Sequence, residues 1–304
     1  MSHHELFQPG WQQKKSKFPE WLHRKLPVGD ERFQTHHTLS ENRLHTVCEE
    51  AKCPNLTECY SKKTATFLLM GKECTRACSF CEIDFSKTPK EIDPDEPERV
   101  ADAVFKLGLR HAVITQVARD DLEDGGAHHL VACIHAIRKK NPKITVEVLT
   151  SDFSGRLASV DSVLEAFPEV FNHNIETVAR LTPQIRHKAT YERTLQVLSY
   201  VKMRQSKTLV KSGIMVGLGE TEEEVKKTLF DLKEAGCDII TIGQYLQPSK
   251  RKTVVKEFVA PEVFKEYEQY AKSLGIMHAF AGPFVRSSYN AHLFAPSPEV
   301  PCDA

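Results

Sequence analysis

The sequence predicts an α/β fold built on a parallel sheet. From residue 65 onward, six short runs rich in Val, Ile and Phe alternate with segments of helical periodicity. The runs are short and apolar, as strands buried on both faces are. Regular alternation of strand and helix implies right-handed βαβ units. Periodicity leaves open whether the sheet is open or curved into a barrel.

The elements follow in order. Strands are expected at residues 65–70, 112–117, 144–149, 170–175, 211–216 and 239–244. Val100, Val104 and Leu107 repeat at i, i+4, i+7, which places them on one helix face. Val225, Leu229 and Leu232 do the same, in a helix whose start is marked by Thr221 and Glu224 at capping-box spacing. Gly236 sits where that helix stops. The last helix has Pro261 at its start and Gly275 just past its end. Residues 91–98 are acidic and read as a solvated loop, and the proline-rich ending APSPEVPCDA reads as a loose tail. Residues 1–64 are polar and irregular; within them Lys14, Lys15 and Lys17 form a basic patch, either a solvated arm or a dock for an acidic partner.

Composition narrows the function classes. The 304 residues carry 41 Lys+Arg and 41 Asp+Glu, a net charge of zero, and are 40% hydrophobic. That apolar fraction supports a sizeable core and excludes a wholly disordered chain. Zero net charge argues against a protein that coats nucleic acid or an anionic membrane. No apolar run approaches the roughly 18 residues of a membrane span. The N-terminal stretch MSHHELFQPGWQQKKSKFPEW has no signal-type apolar core and is not rich in Arg and Ser. A reducing, cytoplasmic setting is expected, in which the nine cysteines serve as metal ligands, catalytic thiols or core residues rather than disulfides.

Six of the nine cysteines fall into two triplets. The first is Cys48, Cys53 and Cys59 within CEEAKCPNLTEC, in a turn-rich stretch containing Pro54 and Asn55. The second is Cys74, Cys78 and Cys81 within CTRACSFC, spaced C-x3-C-x2-C. Closely spaced thiolates suit a soft metal centre. Structural zinc normally takes four ligands, and neither triplet has a fourth in register. Three cysteines on a four-iron cluster leave one iron open for a substrate or cofactor. Zinc remains the alternative at both triplets. Cys133, Cys237 and Cys302 are scattered and read as bystanders. The fourteen histidines read as ordinary, with His173 the one to watch.

The second triplet, with Phe80 before its last cysteine and ATFLLMG upstream, resembles the signature of radical S-adenosylmethionine (SAM) enzymes. The likeness then sharpens to one family, lipoyl synthase. CEEAKCPNLTECY resembles its auxiliary-cluster motif and ATFLLMGKECTRACSFCEID its radical SAM motif. RDDLEDGGA, FNHNIETV, KSGIMVGLGET, IITIGQYLQPS and GPFVRSSYNA resemble further family blocks in the family's order. The resemblance runs from about Pro19 to Tyr289.

The resemblance implies a partial TIM barrel: a (βα)6 radical SAM core over residues 65–280, an N-terminal extension over 1–64 with the auxiliary-cluster motif, and a C-terminal extension over 281–304 with RSSY and the tail. It implies that Cys74, Cys78 and Cys81 hold a 4Fe–4S cluster whose open iron binds SAM, and that Cys48, Cys53 and Cys59 hold an auxiliary 4Fe–4S cluster that donates sulfur. Ser288 would complete the auxiliary cluster. The reaction implied is insertion of sulfur at C6 and C8 of an octanoyl chain amide-linked to a carrier lysine. Those carbons have no acidic proton, so a radical derived from SAM must abstract hydrogen.

Further contacts are expected on the same grounds. Gly125 and Gly126 would let the backbone approach the methionine part of SAM, the alternative being a plain turn. Asn174 and Glu176, two apart at a strand end, would share a face toward SAM. Arg180 would be a further contact or else a surface cation. Gly217 and Gly219 would admit the adenosine part. Arg286 would bond the cluster sulfides, steer substrate, or form a surface ion pair. The chain departs from the family pattern at 115–118, where Thr115, Gln116, Val117 and Ala118 stand for the usual TSVD, and at Tyr60, where tryptophan is common.

The partners implied are an octanoylated lipoyl carrier domain, in a 2-oxoacid dehydrogenase E2 subunit or a glycine-cleavage H protein, a low-potential electron donor such as ferredoxin or flavodoxin, and an iron–sulfur carrier that rebuilds the auxiliary cluster. No nucleic acid and no membrane partner are expected. Two other readings compete. A tRNA methylthiotransferase would keep the second triplet but needs a basic RNA-binding surface. A zinc-bound interaction module would use both triplets without catalysis.

Overall fold

The computed structural model describes residues 18–23, 30–205 and 207–293. The patch at Lys14, Lys15 and Lys17 and the tail with Cys302 lie outside the described residues.

The chain enters through α1 (Glu31–Glu41), β1 (His45–Thr46), α2 (Val47–Glu50) and α3 (Leu56–Ser61). It continues through β2 (Thr66–Leu69), a small parallel pair β3 (Glu73–Cys74) and β4 (Asp84–Phe85), α4 (Glu96–Lys106), β5 (His111–Gln116), α5 (Ala127–Lys140) and β6 (Thr145–Leu149). Next come α6 (Leu157–Glu165), β7 (Val170–Asn172), α7 (Thr182–Ile185), α8 (Tyr191–Arg204) and β8 (Leu209–Val216). The chain ends with α9 (Glu222–Glu234), β9 (Ile239–Gln244), α10 (Pro261–Ser273) and β10 (His278–Gly282).

The main sheet runs β1-β2-β5-β6-β7-β8-β9-β10. Its strands pair in parallel from β2 onward, and only β1 is antiparallel to its neighbour. Sequential order with helical crossovers is barrel order, and β10 does not pair back to the other edge, so the barrel is partial. All six expected strands are present. β1 and β10 are additions. β10 escaped the sequence reading because its run HAFAG carries small residues instead of Val and Ile.

The end of β7 differs from expectation. Asn172 pairs with Lys211, and Glu176 next bridges Ile214, so four steps on one strand oppose three on the other. This is a β-bulge, with Glu176 at φ +67°. The freed Ile175 N–H donates to Ser212 Oγ at 3.1 Å.

The helix signals act as read. Thr221 Oγ1 accepts from the Glu224 N–H at 3.3 Å, and Glu224 accepts from the Thr221 N–H at 2.8 Å. Both groups are otherwise orphans of the first turn. In the N-terminal extension, buried Tyr60 bonds Thr46 Oγ1 at 2.8 Å, and its carbonyl accepts from Thr35 Oγ1 at 2.8 Å. Tyrosine thus fills an aromatic position and adds an anchor between α1, β1 and α3. In the barrel interior, Lys211 and Glu147 are both buried and pair at 2.9 Å.

Candidate active site

The second triplet sits on a loop across the C-terminal mouth of the barrel, where strands present ligands. Cys74 ends β3. The loop is zipped to the end of α7 and the residues after it: the Ser79 N–H donates to the Ile185 carbonyl at 3.0 Å, and the Ala77 N–H donates to His187 Nδ1 at 3.0 Å. Backbone donors reach the sulfurs. Cys74 Sγ accepts from Arg76 and Cys78 Sγ from His187, each at 3.4 Å. Further amides, of Ala118 and Ile83, favour the thiolates of Cys74 and Cys81.

Burial pushes the Cys81 thiol up to about 12, with Cys78 and Cys74 adding to the rise. Cys74 and Cys78 are raised too, chiefly by burial. Cys74 and Cys78 lie close enough to raise Cys81, and Cys74 to raise Cys78. Thiols in such surroundings need a metal to ionise them.

Arg76, inside the CTRAC motif, fastens this loop to the barrel. Its guanidinium reaches Asp120 at 2.7 Å and Asp152 at 2.6 Å. The Asp120 N–H donates to Thr75 Oγ1 at 2.9 Å, and Thr75 bonds the Ala118 carbonyl. Burial alone would raise Asp120, but Arg76 holds it well below the usual carboxylate range. The Ala118 main chain carries these contacts, so the missing acid at that position leaves the loop intact. The sequence reading had not assigned Arg76 or Asp152, because no spacing rule links positions so far apart.

The bulge aims Asn174 and Glu176 at the same loop. The Asn174 amide favours the Glu176 carboxylate, and the Glu176 charge is felt at Cys78 and Cys81. Their shared direction comes from the bulge rather than from simple strand alternation. Burial raises the Glu176 carboxyl, which Arg186 and Asn174 oppose. Arg186, also unassigned from sequence, donates to the Ile175 carbonyl and to Thr194 Oγ1.

Gly125 and Gly126 lead into α5, with φ of +64° and +88°. A Cβ on Gly126 would lie 2.4 Å from Met70 Sδ, the movable end of a flexible side chain, so the glycine is required chiefly by its conformation. Arg180 is exposed. It pairs with Glu224 at 2.7 Å and donates to the Gly219 carbonyl at 2.8 Å. It braces the Gly217–Gly219 turn after β8, apart from the buried group around Glu176.

The first triplet gathers on α2, α3 and the turn between them. Cys48 is pushed up to about 12 and Cys59 to about 11, both chiefly by burial and next by Cys53. These thiols line a pocket with Arg286 and Ser288. The C-terminal segment reaches it because Gly243 of β9 leaves room: a Cβ there would lie 2.1 Å from the Val285 carbonyl. Asn55 donates to the Phe284 carbonyl at 2.7 Å, and the Tyr289 hydroxyl to Glu58 at 2.9 Å. Arg286 donates to the Val285 carbonyl at 2.6 Å. The adjacent serines divide: Ser287 accepts from Asn174 at 3.3 Å, while Ser288 faces the first triplet.

A mononuclear zinc site needs ligands converging on one point. Among the described residues no three His, Cys, Asp or Glu groups do so. A four-iron cluster takes each thiolate on a separate iron. Cys133 and Cys237 are buried core residues. His173 is one too: its Nδ1–H donates to the Thr150 carbonyl at 2.8 Å, and burial pushes it down to about 4, so it is neutral. Among the described residues no helix is long and apolar enough to cross a membrane.

Comparisons with known proteins bear on the family. Residues 68–232 match the model of the Radical SAM superfamily. Residues 7–53 match the N-terminal domain of lipoyl synthase of the Radical SAM family. Over 279 residues the chain is 64% identical to lipoyl synthase of Protochlamydia amoebophila, covering 91% of this chain and 86% of that one. It is 49% identical to lipoyl synthase of Caldicellulosiruptor saccharolyticus, covering 91% and 96%. Among solved structures, Streptococcus suis SuiB bound to S-adenosylmethionine superposes with a TM-score of 0.57 at 12% identity, over 75% of this chain and 53% of that one. The hydrogenase maturase HydG superposes at 0.52 and 13% identity, over 88% and 74%. At such identity the structural likeness concerns the fold alone.

Proposed function

The chain belongs to the lipoyl synthase family of radical SAM enzymes, and from that premise we propose the assignment of its parts. The family inserts sulfur into a protein-bound octanoyl chain and uses SAM with 4Fe–4S clusters. We assign Cys74, Cys78 and Cys81 to the SAM-binding cluster and Cys48, Cys53, Cys59 and Ser288 to the auxiliary, sulfur-donating cluster. The observation that carries this is the convergence of Ser288, from the far end of the chain, on the first triplet.

When bound, SAM and the clusters supply the one-electron chemistry that unactivated carbons require. This chain's residues bind, orient and exclude water. Arg76, Asp120 and Asp152 hold the loop of the second triplet. Asn174, Glu176, Gly125 and Gly126 form the SAM-facing wall, and Arg180 supports it from the outside through the Gly219 turn. Ser287 and Ser288 bring the two sites within one short segment. Arg286 lines the auxiliary pocket.

By sequence, residues 1–64 are the extension with the auxiliary-cluster motif, 65–280 the barrel core, and 281–304 the C-terminal extension with RSSY and the tail. The carrier is an octanoylated domain of an E2 subunit or H protein, with ferredoxin or flavodoxin as reductant and an iron–sulfur carrier for rebuilding, in the cytoplasm. The neutral balance of charge favours a protein substrate over tRNA.

The test is incubation with octanoylated carrier, SAM and reductant, counting iron before and after turnover. We expect dithiol product and about eight irons per reconstituted chain. Cys53→Ala should keep about four irons and SAM cleavage without product; Cys78→Ala should keep about four irons and lose SAM cleavage. Four or fewer irons in the unaltered chain would reject the two-cluster assignment.

A further inference from the structure

We propose that residues 250–256 form the docking edge for the carrier domain, and that the carrier meets it with an acidic face. The proposal rests on the lipoyl synthase reading. In a chain of zero net charge, the stretch KRKTVVK places four cations with no acid between Ser249 and Glu257. Lys250, Arg251 and Lys256 are exposed, and among the described residues they take part in no ion pair. Two other exposed cations beside the triplets are paired, Lys52 with Glu82 and Lys188 with Asp120.

The position of this loop matters as much as its charge. It is fastened to the second triplet. The Thr253 N–H donates to the Ser79 carbonyl at 2.9 Å, and the two hydroxyls meet at 2.7 Å. Ser249 Oγ donates to Glu82, next to Cys81, at 2.8 Å. A domain resting here would stand beside the site that its acyl-lysine must enter. Lys252 is half-buried, whereas Lys250, Arg251 and Lys256 are exposed.

Val254 lies in the middle of the same run and is 61% exposed. Val254 alone marks no interface, but a side chain exposed among these cations is open to short-range contact with a partner that the charges bring in. Unpaired rim cations steer an oppositely charged partner and make its binding sensitive to salt. The basic run therefore selects an acidic domain, and Val254 gives it a short-range contact.

The experiment compares the reconstituted enzyme with the variant K250E/R251E/K256E and with R251E alone. Binding of octanoylated carrier domain is titrated at low and high salt, and turnover is measured on the carrier and on a short octanoyl-lysine peptide. The triple reversal should raise both Kd and KM for the carrier about tenfold and flatten the salt dependence, with R251E intermediate. Peptide turnover and iron content should stay unchanged. Carrier binding that keeps its strength and salt slope in both variants overturns the proposal. Failure of the unaltered enzyme to turn over the peptide would count against the lipoyl synthase reading instead, while the binding titration still decides the docking edge.

Discussion

Lys52 Nζ and Glu82 Oε1 meet at 2.6 Å, and each lies next to a cysteine of a different triplet. Lys52 precedes Cys53 with φ +51°, and Glu82 follows Cys81. The other Glu82 oxygen accepts from Ser249. One carboxylate thus ties both triplet loops to the segment after β9. Glu82→Gln removes the charge that holds Lys52 and touches no cysteine. We expect iron content to be kept and coupling to suffer, since small misplacements between reacting groups are costly. The ratio of 5′-deoxyadenosine to lipoyl product, measured by mass spectrometry, should rise about threefold. An unchanged ratio would mean that the loops are positioned without this clasp.

Ser288 offers an oxygen to the first triplet, and iron in such a cluster prefers sulfur. A weakly held iron suits a cluster that is dismantled during turnover. Ser288→Cys should keep the full iron content while lipoyl product per enzyme falls about tenfold. Undiminished product formation by this variant would refute the idea.

Lys211 and Glu147 give a pH prediction. Burial raises Glu147, but the Lys211 ammonium and His111 outweigh it and hold the carboxyl below the usual range. A depressed carboxylate contributes stability that is complete above the unfolded value of about 4.3 and is lost as pH falls through the lower folded value. Lys211→Met alone leaves a buried charge and should destabilise the fold by about 3–5 kcal/mol. Adding Glu147→Gln keeps an acceptor for Asn172 Nδ2, which donates to Glu147 at 3.0 Å, and should recover most of that loss. Denaturant titrations at neutral and acidic pH read both effects, and the double variant should lose the acid-side slope.

Gly126→Ala combines a strained backbone with a clash against Met70. The two effects together should cost about 2 kcal/mol or more. Thermal unfolding would report it. A variant as stable as the parent would show that Met70 repacks freely.

Sequence spacing was enough to single out the six cysteines of the two triplets, because ligands of one cluster would sit close along the chain. Periodicity was enough to find the six inner strands and the capping box, because these are local devices. Ser288 was reached only through family likeness, since nothing near it in sequence hints at a ligand. The Arg76–Asp120–Asp152 clasp escaped notice because its members belong to three separate loops.

The sequence by itself determined the alternation of strand and helix, the two triplets and the family they indicate. Only the tertiary structure decided that Glu176 turns toward the second triplet through a bulge, that Gly243 admits the C-terminal segment, and that neighbouring serines face different sites. The reason is physical. Local propensity and ligand spacing act over a few residues, whereas bulges, close backbone approaches and buried ion pairs depend on which distant strands lie side by side.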